Sequence, residues 1–105
     1  MPAAQSPDKY RIIVRERAWL ALRRATHWYE QRNTVAAARF VMAIDNAVAS
    51  LAEAPLRWAL WMPDVRRCLL PGFPYSPLYR VVGTQVQVLA VVHHARHPDT
   101  WRAGT

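Results

Sequence analysis

Val65-Arg66-Arg67-Cys68-Leu69-Leu70, Phe73-Pro74-Tyr75, Leu78-Tyr79-Arg80-Val81, Val88-Leu89-Ala90-Val91-Val92-His93 and Arg96-x-Pro98-x-x-Trp101 follow one another over the second half of the chain. The first, third and fourth are β-rich apolar runs separated by short gaps, so they read as consecutive strands. Pro71-Gly72 turns the chain after a strand over 64–70. The next strand runs from Tyr75 to Val82. Pro77 removes one ladder donor, which predicts an edge position or an interruption there. Gly83-Thr84 has the length and composition of a tight hairpin. The last strand spans Gln85 to His94. Strict alternation points Val86, Val88, Ala90 and Val92 one way and Leu89, Val91 and His93 the other. Its second half is apolar on both faces, which predicts a central strand.

Working towards the N-terminus, Pro55 to Pro63 reads as a connection carrying Trp58 and Trp61. Before it come two helices. Glu16 to Arg32 has no Gly or Pro and is rich in Ala, Leu, Arg and Glu. Ala18, Leu22, Ala25 and Tyr29 share one face, with Trp28 beside them. Asn33 and Thr34 break this helix and can cap the next. Val35 to Glu53 carries an apolar stripe of Ala37, Phe40, Val41, Ile44, Val48 and Leu51. Pro55 stops it. Almost nothing joins the two helices, so they form an antiparallel hairpin. Tyr10 to Arg15 reads as a first strand, and residues 1–9 as a flexible tail.

The expected order is β-α-α-β-β-β over residues 10–105. The fold class is α+β: an antiparallel helix hairpin packed on a small, mostly antiparallel four-stranded sheet. One domain accounts for all 105 residues. No uninterrupted apolar run approaches the roughly 20 residues of a membrane helix. The start of the chain has no apolar signal segment. The expectation is a cytoplasmic protein with no membrane partner. Cys68 is the single cysteine, so an internal disulfide is excluded. Its strand-like setting reads as a small buried apolar residue rather than a nucleophile.

Net charge is +7, from 13 Arg and one Lys against seven acidic residues. That balance favours a phosphate backbone or an acidic protein partner. Arginine adds planar, bidentate contacts to either. The five tryptophans read mostly as core or helix-packing residues.

His93, His94, Arg96 and His97 cluster within five positions, and Arg80 and the pair Arg66 and Arg67 lie on neighbouring strands. Metal-free RNA cleavage needs a base for the 2′-hydroxyl, an acid for the leaving oxygen and cations for the phosphorane. His93 or His94 suits the first two roles, and Arg80 with Arg96 suits the third. Arg66 and Arg67 extend the basic surface, and Tyr75 or Trp101 could stack on a base. Simpler structural roles compete. Neighbouring histidines on a strand face opposite ways, so at most one lines a given cleft. A strand-end histidine often caps backbone or packs on tryptophan. Arg80 can pair with Asp64 or Asp99. His93, His94 and His97 have spacings zinc tolerates, but no carboxylate or cysteine completes a set, so no metal or cofactor is expected.

Taken in order, these pieces resemble the RelE/ParE superfamily, the toxins of type II toxin–antitoxin modules, often labelled plasmid stabilisation proteins. The resemblance rests on Trp28-Tyr29-Glu30, Ala38-Arg39-Phe40, Leu51-Ala52-x-x-Pro55, Val65-Arg66-Arg67, Phe73-Pro74-Tyr75, Leu78-Tyr79-Arg80-Val81 and His93-x-x-Arg96-x-Pro98-x-x-Trp101. It implies a growth-inhibiting toxin held silent by a small acidic antitoxin encoded beside it, in a hetero-oligomer. RelE-like members are mRNA interferases that cut on the ribosome. ParE-like members inhibit DNA gyrase and are not nucleases. The nuclease form carries an arginine just after the tyrosine that opens the third strand, and a tyrosine near the C-terminus. Here those places hold Ser76 and Thr100. The incomplete pattern favours the ParE-like reading, with RNA cleavage as the alternative and an inactive toxin-fold binding module as a third. An acidic partner also has a physical basis, because a small basic sheet under an apolar helix hairpin suits a segment that folds as it wraps it.

Overall fold

The computed structural model describes residues 10–95. The tail expected over 1–9, and Arg96, His97, Pro98, Asp99, Thr100 and Trp101, lie outside the described residues. The elements are β1 (Arg11–Val14), α1 (Glu16–Glu30), α2 (Thr34–Glu53), β2 (Leu60–Met62), β3 (Val65–Arg67), β4 (Tyr75–Val82) and β5 (Gln85–His93). They build two helices on one face of a five-stranded mixed sheet, ordered β1-β5-β4-β3-β2. β1 runs parallel to β5, and the other pairings are antiparallel.

The extra strand is a correction to the expected four. Leu60-Trp61-Met62 pairs with β3 as a short irregular hairpin around Pro63 and Asp64. A strand of that length between two prolines is too short to show alternation, so it read as connection. The strand expected over 64–70 is in turn cut to Val65–Arg67.

α2 begins where its sequence predicts. Asn33 is extended, and its side-chain oxygen accepts from the backbone N–H groups of Val35 and Ala36 at 3.0 and 3.1 Å. Two otherwise orphaned donors are thereby satisfied. α2 is long and apolar enough, by length and composition, to cross a membrane. Arg39 and Asp45 interrupt its surface, and Ala37, Phe40 and Leu51 pack inward, so it serves as the core helix of the domain.

The main core lies between the helices and the sheet. Phe40 is fully buried, with the rings of Tyr29, Phe73 and Tyr75 at 5.2, 5.2 and 5.5 Å. Tyr79 is also fully buried, and its hydroxyl donates to the carbonyl of Pro55, anchoring the chain just past α2. Burial pushes that phenol up to about 12, with a smaller push from Cys68. A second, smaller cluster of Val65, Leu78 and Ala90 sits on the face without helices.

Two strand expectations are corrected. β4 is flanked by β5 and β3, so Pro77 is not on an edge. A strand residue aims its N–H and C=O at the same neighbour. The Pro77 carbonyl accepts from Cys68 N at 2.9 Å, just past the end of β3. The missing donor therefore falls where the neighbouring strand has ended. Alternation along β5 also breaks. Leu78 pairs with Ala90 and Tyr79 with Val88, leaving Leu89 as an extra residue. Such a bulge reverses the facing of everything beyond it. Val86, Val88 and Val91 meet the helices, while Ala90 and Val92 join the opposite cluster. The central position expected for β5 is observed.

Candidate functional site

The bulge at Leu89 decides which histidine faces which side. Without it, His94 would share the face of Val86 and Val88, under the helices. With it, His93 goes to the helical side, where its ring meets Tyr75 edge-on at 4.8 Å. His94 goes to the helix-free side, beside Arg67 and Ser76.

There the geometry is compact. Ser76 Oγ lies 2.6 Å from Nε2 of His94, and the Nε–H of Arg67 donates to the same oxygen at 3.3 Å. Ser76 is 0% exposed. The backbone N–H of His94 donates to the Pro74 carbonyl at 2.8 Å, which holds the imidazole in place. Trp61, Leu78 and Val92 complete a small cavity of about 100 Å³ with Arg67 and His94. Burial lowers the His94 pKa below its ordinary value, and the charges of Arg67 and His93 push the same way. A neutral imidazole at pH 7 follows. With the imidazole in its Nδ1–H tautomer, the serine hydroxyl accepts from Arg67 and has its one proton free to give to His94 Nε2.

The other predicted residues are placed elsewhere. Arg80 shares the helix-free face, past Leu78. Its Nε–H donates to Gln87 Oε1 at 3.1 Å, and it lies 3.8 Å from the exposed Asp64 carboxylate. Gln87 in turn donates to Gln85 at 3.1 Å. Arg66 points to the opposite side of β3 and donates to the carbonyls of Trp58 at 2.6 Å and Leu56 at 3.3 Å. It pins the connection that leads into β2. Tyr75 is buried, its ring surrounded by Tyr29, Phe40 and His93. Arg96 and Trp101 lie outside the described residues. The structure thus brings Arg67 and His94 together, sets Arg80 further along the same face, and separates His93, Tyr75 and Arg66 from them. Ser76 and Trp61 join the site without having been singled out for it. A serine amid apolar residues on a strand was the available signal.

The thiol of Cys68 is buried, and burial pushes it up to about 11 against a smaller lowering by Arg57. It is protonated at neutral pH and a poor nucleophile.

Tryptophan departs from its expected role. Trp19 is 54% and Trp28 47% exposed. Arg32 covers one face of Trp28 at 4.1 Å. Trp58 and Trp61 are partly buried.

Two helices packed on one face of a mixed five-stranded sheet match the RelE/ParE-like toxin folds. A complex described as the chromosomal ParDE toxin–antitoxin system of P. aeruginosa contains a chain of this fold, with TM-score 0.68 and 22% identity over 82% of this chain and 97% of that one. A free arginine double mutant of the E. coli toxin RelE matches with TM-score 0.60 and 18% identity, covering 90% and 92%. A chain of the RelBE2 toxin–antitoxin complex from Mycobacterium tuberculosis matches with TM-score 0.54 and 23% identity, covering 87% and 98%. At these identities the likeness concerns the fold. Among curated proteins, none matches the sequence. The family model for the ParE toxin of type II toxin–antitoxin system, parDE, matches residues 10–98. This chain belongs to the ParE toxin family of type II toxin–antitoxin systems.

Proposed function

We propose that this toxin acts in the ParE-like manner, by binding an essential cytoplasmic protein such as DNA gyrase, and that a small acidic antitoxin encoded beside it holds it silent. The observation that carries this reading is the engagement of Arg67 and His94 with the buried hydroxyl of Ser76. A phosphorane-stabilising cation and a general acid or base must be free to meet substrate. Here the guanidinium Nε–H and the imidazole Nε2 are both tied to one internal oxygen. Ser76 also occupies the place where the nuclease form carries arginine. Membership of the ParE family supports the same choice.

One observation favours the RelE-like alternative. Arg67, Arg80 and His94 all lie on the helix-free face, and so offer a basic surface to RNA. Inducing the chain alone in a bacterial host separates the two. Gyrase-dependent DNA breaks with intact messenger RNA support target binding. Cleaved messenger RNA with intact DNA overturns it in favour of the nuclease. Unimpaired growth removes both.

A further inference from the structure

The helix hairpin carries an open groove of about 790 Å³ between α1 and α2. Leu22, Thr26 and Ile44 line it as half-buried residues. Trp19 is 54%, Val41 43% and Leu20 39% exposed beside them. A large indole left half in water beside an aliphatic groove is the composition of a contact surface. The Thr26 hydroxyl donates to the Leu22 carbonyl at 2.8 Å, so it asks nothing of a partner.

The charges around this groove are of both signs, Arg23 and Arg24 against Glu30 and Asp45. Glu30 lies 3.9 Å from His27 Nδ1, while Arg23, Arg24 and Asp45 make no ion pair among the described residues. Arg23 and Glu30 stand seven residues apart on α1, two turns or about 10 Å along one side of the helix. A second α1 laid antiparallel, with a twofold axis beside Thr26 and His27, sets each Arg23 opposite the other copy's Glu30. A twofold interface needs such self-complementarity, because one patch meets itself. Two copies at +7 repel at long range, but salt screens that repulsion beyond about 8 Å, and the patch itself is balanced. A further groove on the other flank of α2 is lined by Arg39 and no carboxylate, so there two copies would set cation against cation.

We propose that the groove between α1 and α2 is the face through which two copies of this chain pair about a twofold axis. The two α1 helices cross antiparallel, Trp19 and Leu20 of each copy are withdrawn from water, and Arg23 and Glu30 pair across the axis twice. The helices lie on one face of the sheet, so pairing through them leaves both helix-free faces outward. The pair thus carries the surface of Arg67, Arg80 and His94 in two places, and a target that is itself twofold meets two copies at once. The inference stands apart from the antitoxin and gyrase readings above.

The test is sedimentation velocity of the purified full chain over a concentration series, with circular dichroism to check that each variant keeps its fold. The parent is expected to pass from monomer to dimer with a micromolar dissociation constant. Trp19→Glu should weaken pairing by about 30-fold or more, the effect of losing an aromatic anchor. Arg23→Glu sets carboxylate against carboxylate at both contacts and should weaken it about tenfold. Arg23→Glu combined with Glu30→Arg restores opposite signs across the axis and should return to within about threefold of the parent. Met42→Glu, in the other groove, should leave pairing unchanged. A parent that stays monomeric at about 200 μM overturns the proposal. So does a dimer that survives Trp19→Glu, or one that Met42→Glu dissociates. Failure of the double swap to rescue Arg23→Glu overturns the antiparallel register. Titration with the protein encoded beside this chain forms the last arm: weaker binding by Trp19→Glu, with a monomeric parent, would assign the groove to that protein and overturn the proposal.

Discussion

His94 Nε2 and Ser76 Oγ, 2.6 Å apart, join the chain just past the last strand to the start of β4. With the imidazole neutral, its unprotonated Nε2 can take the serine proton as acceptor. Protonation would put a second N–H donor on an oxygen that already accepts from Arg67, next to a guanidinium. The structure therefore opposes charge on His94 by burial, by Arg67 and by His93.

A titration of the His94 ring by NMR is expected to show a midpoint below the ordinary histidine value of about 6.5. Arg67→Gln should move it upward. The sign for stability follows from a folded pKa lying below the unfolded one. His94 makes no difference to stability above the unfolded value, where it is neutral in both states. As pH falls below that value and through the folded pKa, the unfolded state takes up the proton first and stability is lost. Thermal melts across this window should decline less steeply in His94→Gln. An unshifted midpoint would contradict the hydrogen-bond assignment.

Ser76→Ala deletes the hydroxyl and adds no atom to this buried position. Arg67 and His94 lose their shared partner but retain access to water. The expected cost is about 1 kcal/mol, measured by urea unfolding. His94 should then titrate closer to its ordinary value.

Phe40→Ala empties the centre of the aromatic cluster formed with Tyr29, Phe73 and Tyr75. A loss of about 3–5 kcal/mol is expected, a large part of the stability of a small domain. Val41→Ala, one residue away but exposed, should change stability by about 0.5 kcal/mol or less. Equal effects at the two positions would show that the packed face of α2 is wrongly assigned.

Tyr79→Phe leaves the Pro55 carbonyl without its buried donor. The expected destabilisation is about 1–3 kcal/mol by chemical denaturation. Spectrophotometric titration of the parent should reveal one tyrosine ionising near 12, absent from the variant.

Cys68 should resist a thiol reagent such as iodoacetamide at pH 8 in the folded protein and react in urea. Its burial and a thiol pKa of about 11 both act in that direction. Fast alkylation of the folded chain would contradict the burial of this thiol.

The helices and the inner strand were legible because their signals are local. Asn33 and Pro55 bracket α2, and Phe40 with Leu51 marks its inward stripe. The apolar second half of β5 announced a strand covered on both faces, although β1 flanks only Gln85 to Val88. β2 escaped because Leu60 to Met62 is shorter than any period. The site escaped for a different reason. Which of His93 and His94 meets Arg67 depends on the parity of β5, and the extra residue Leu89 inverts it. Nothing local to Val88-Leu89-Ala90 marks a bulge, since the misfit arises only when β4 is laid alongside. The outward tryptophans, Trp19 and Trp28, follow from the same limit. Composition favours burying an indole, but a sheet this small leaves no room for every one.

Arg11 to Val14 lie beside Gln85 to Val88 in parallel register. Among the described strands β1 is thus made first, yet its one sheet neighbour is made last. During synthesis the helix hairpin can collapse early, but the sheet cannot close until β5 has left the ribosomal tunnel. A growing chain therefore has no finished sheet until β5 has been made.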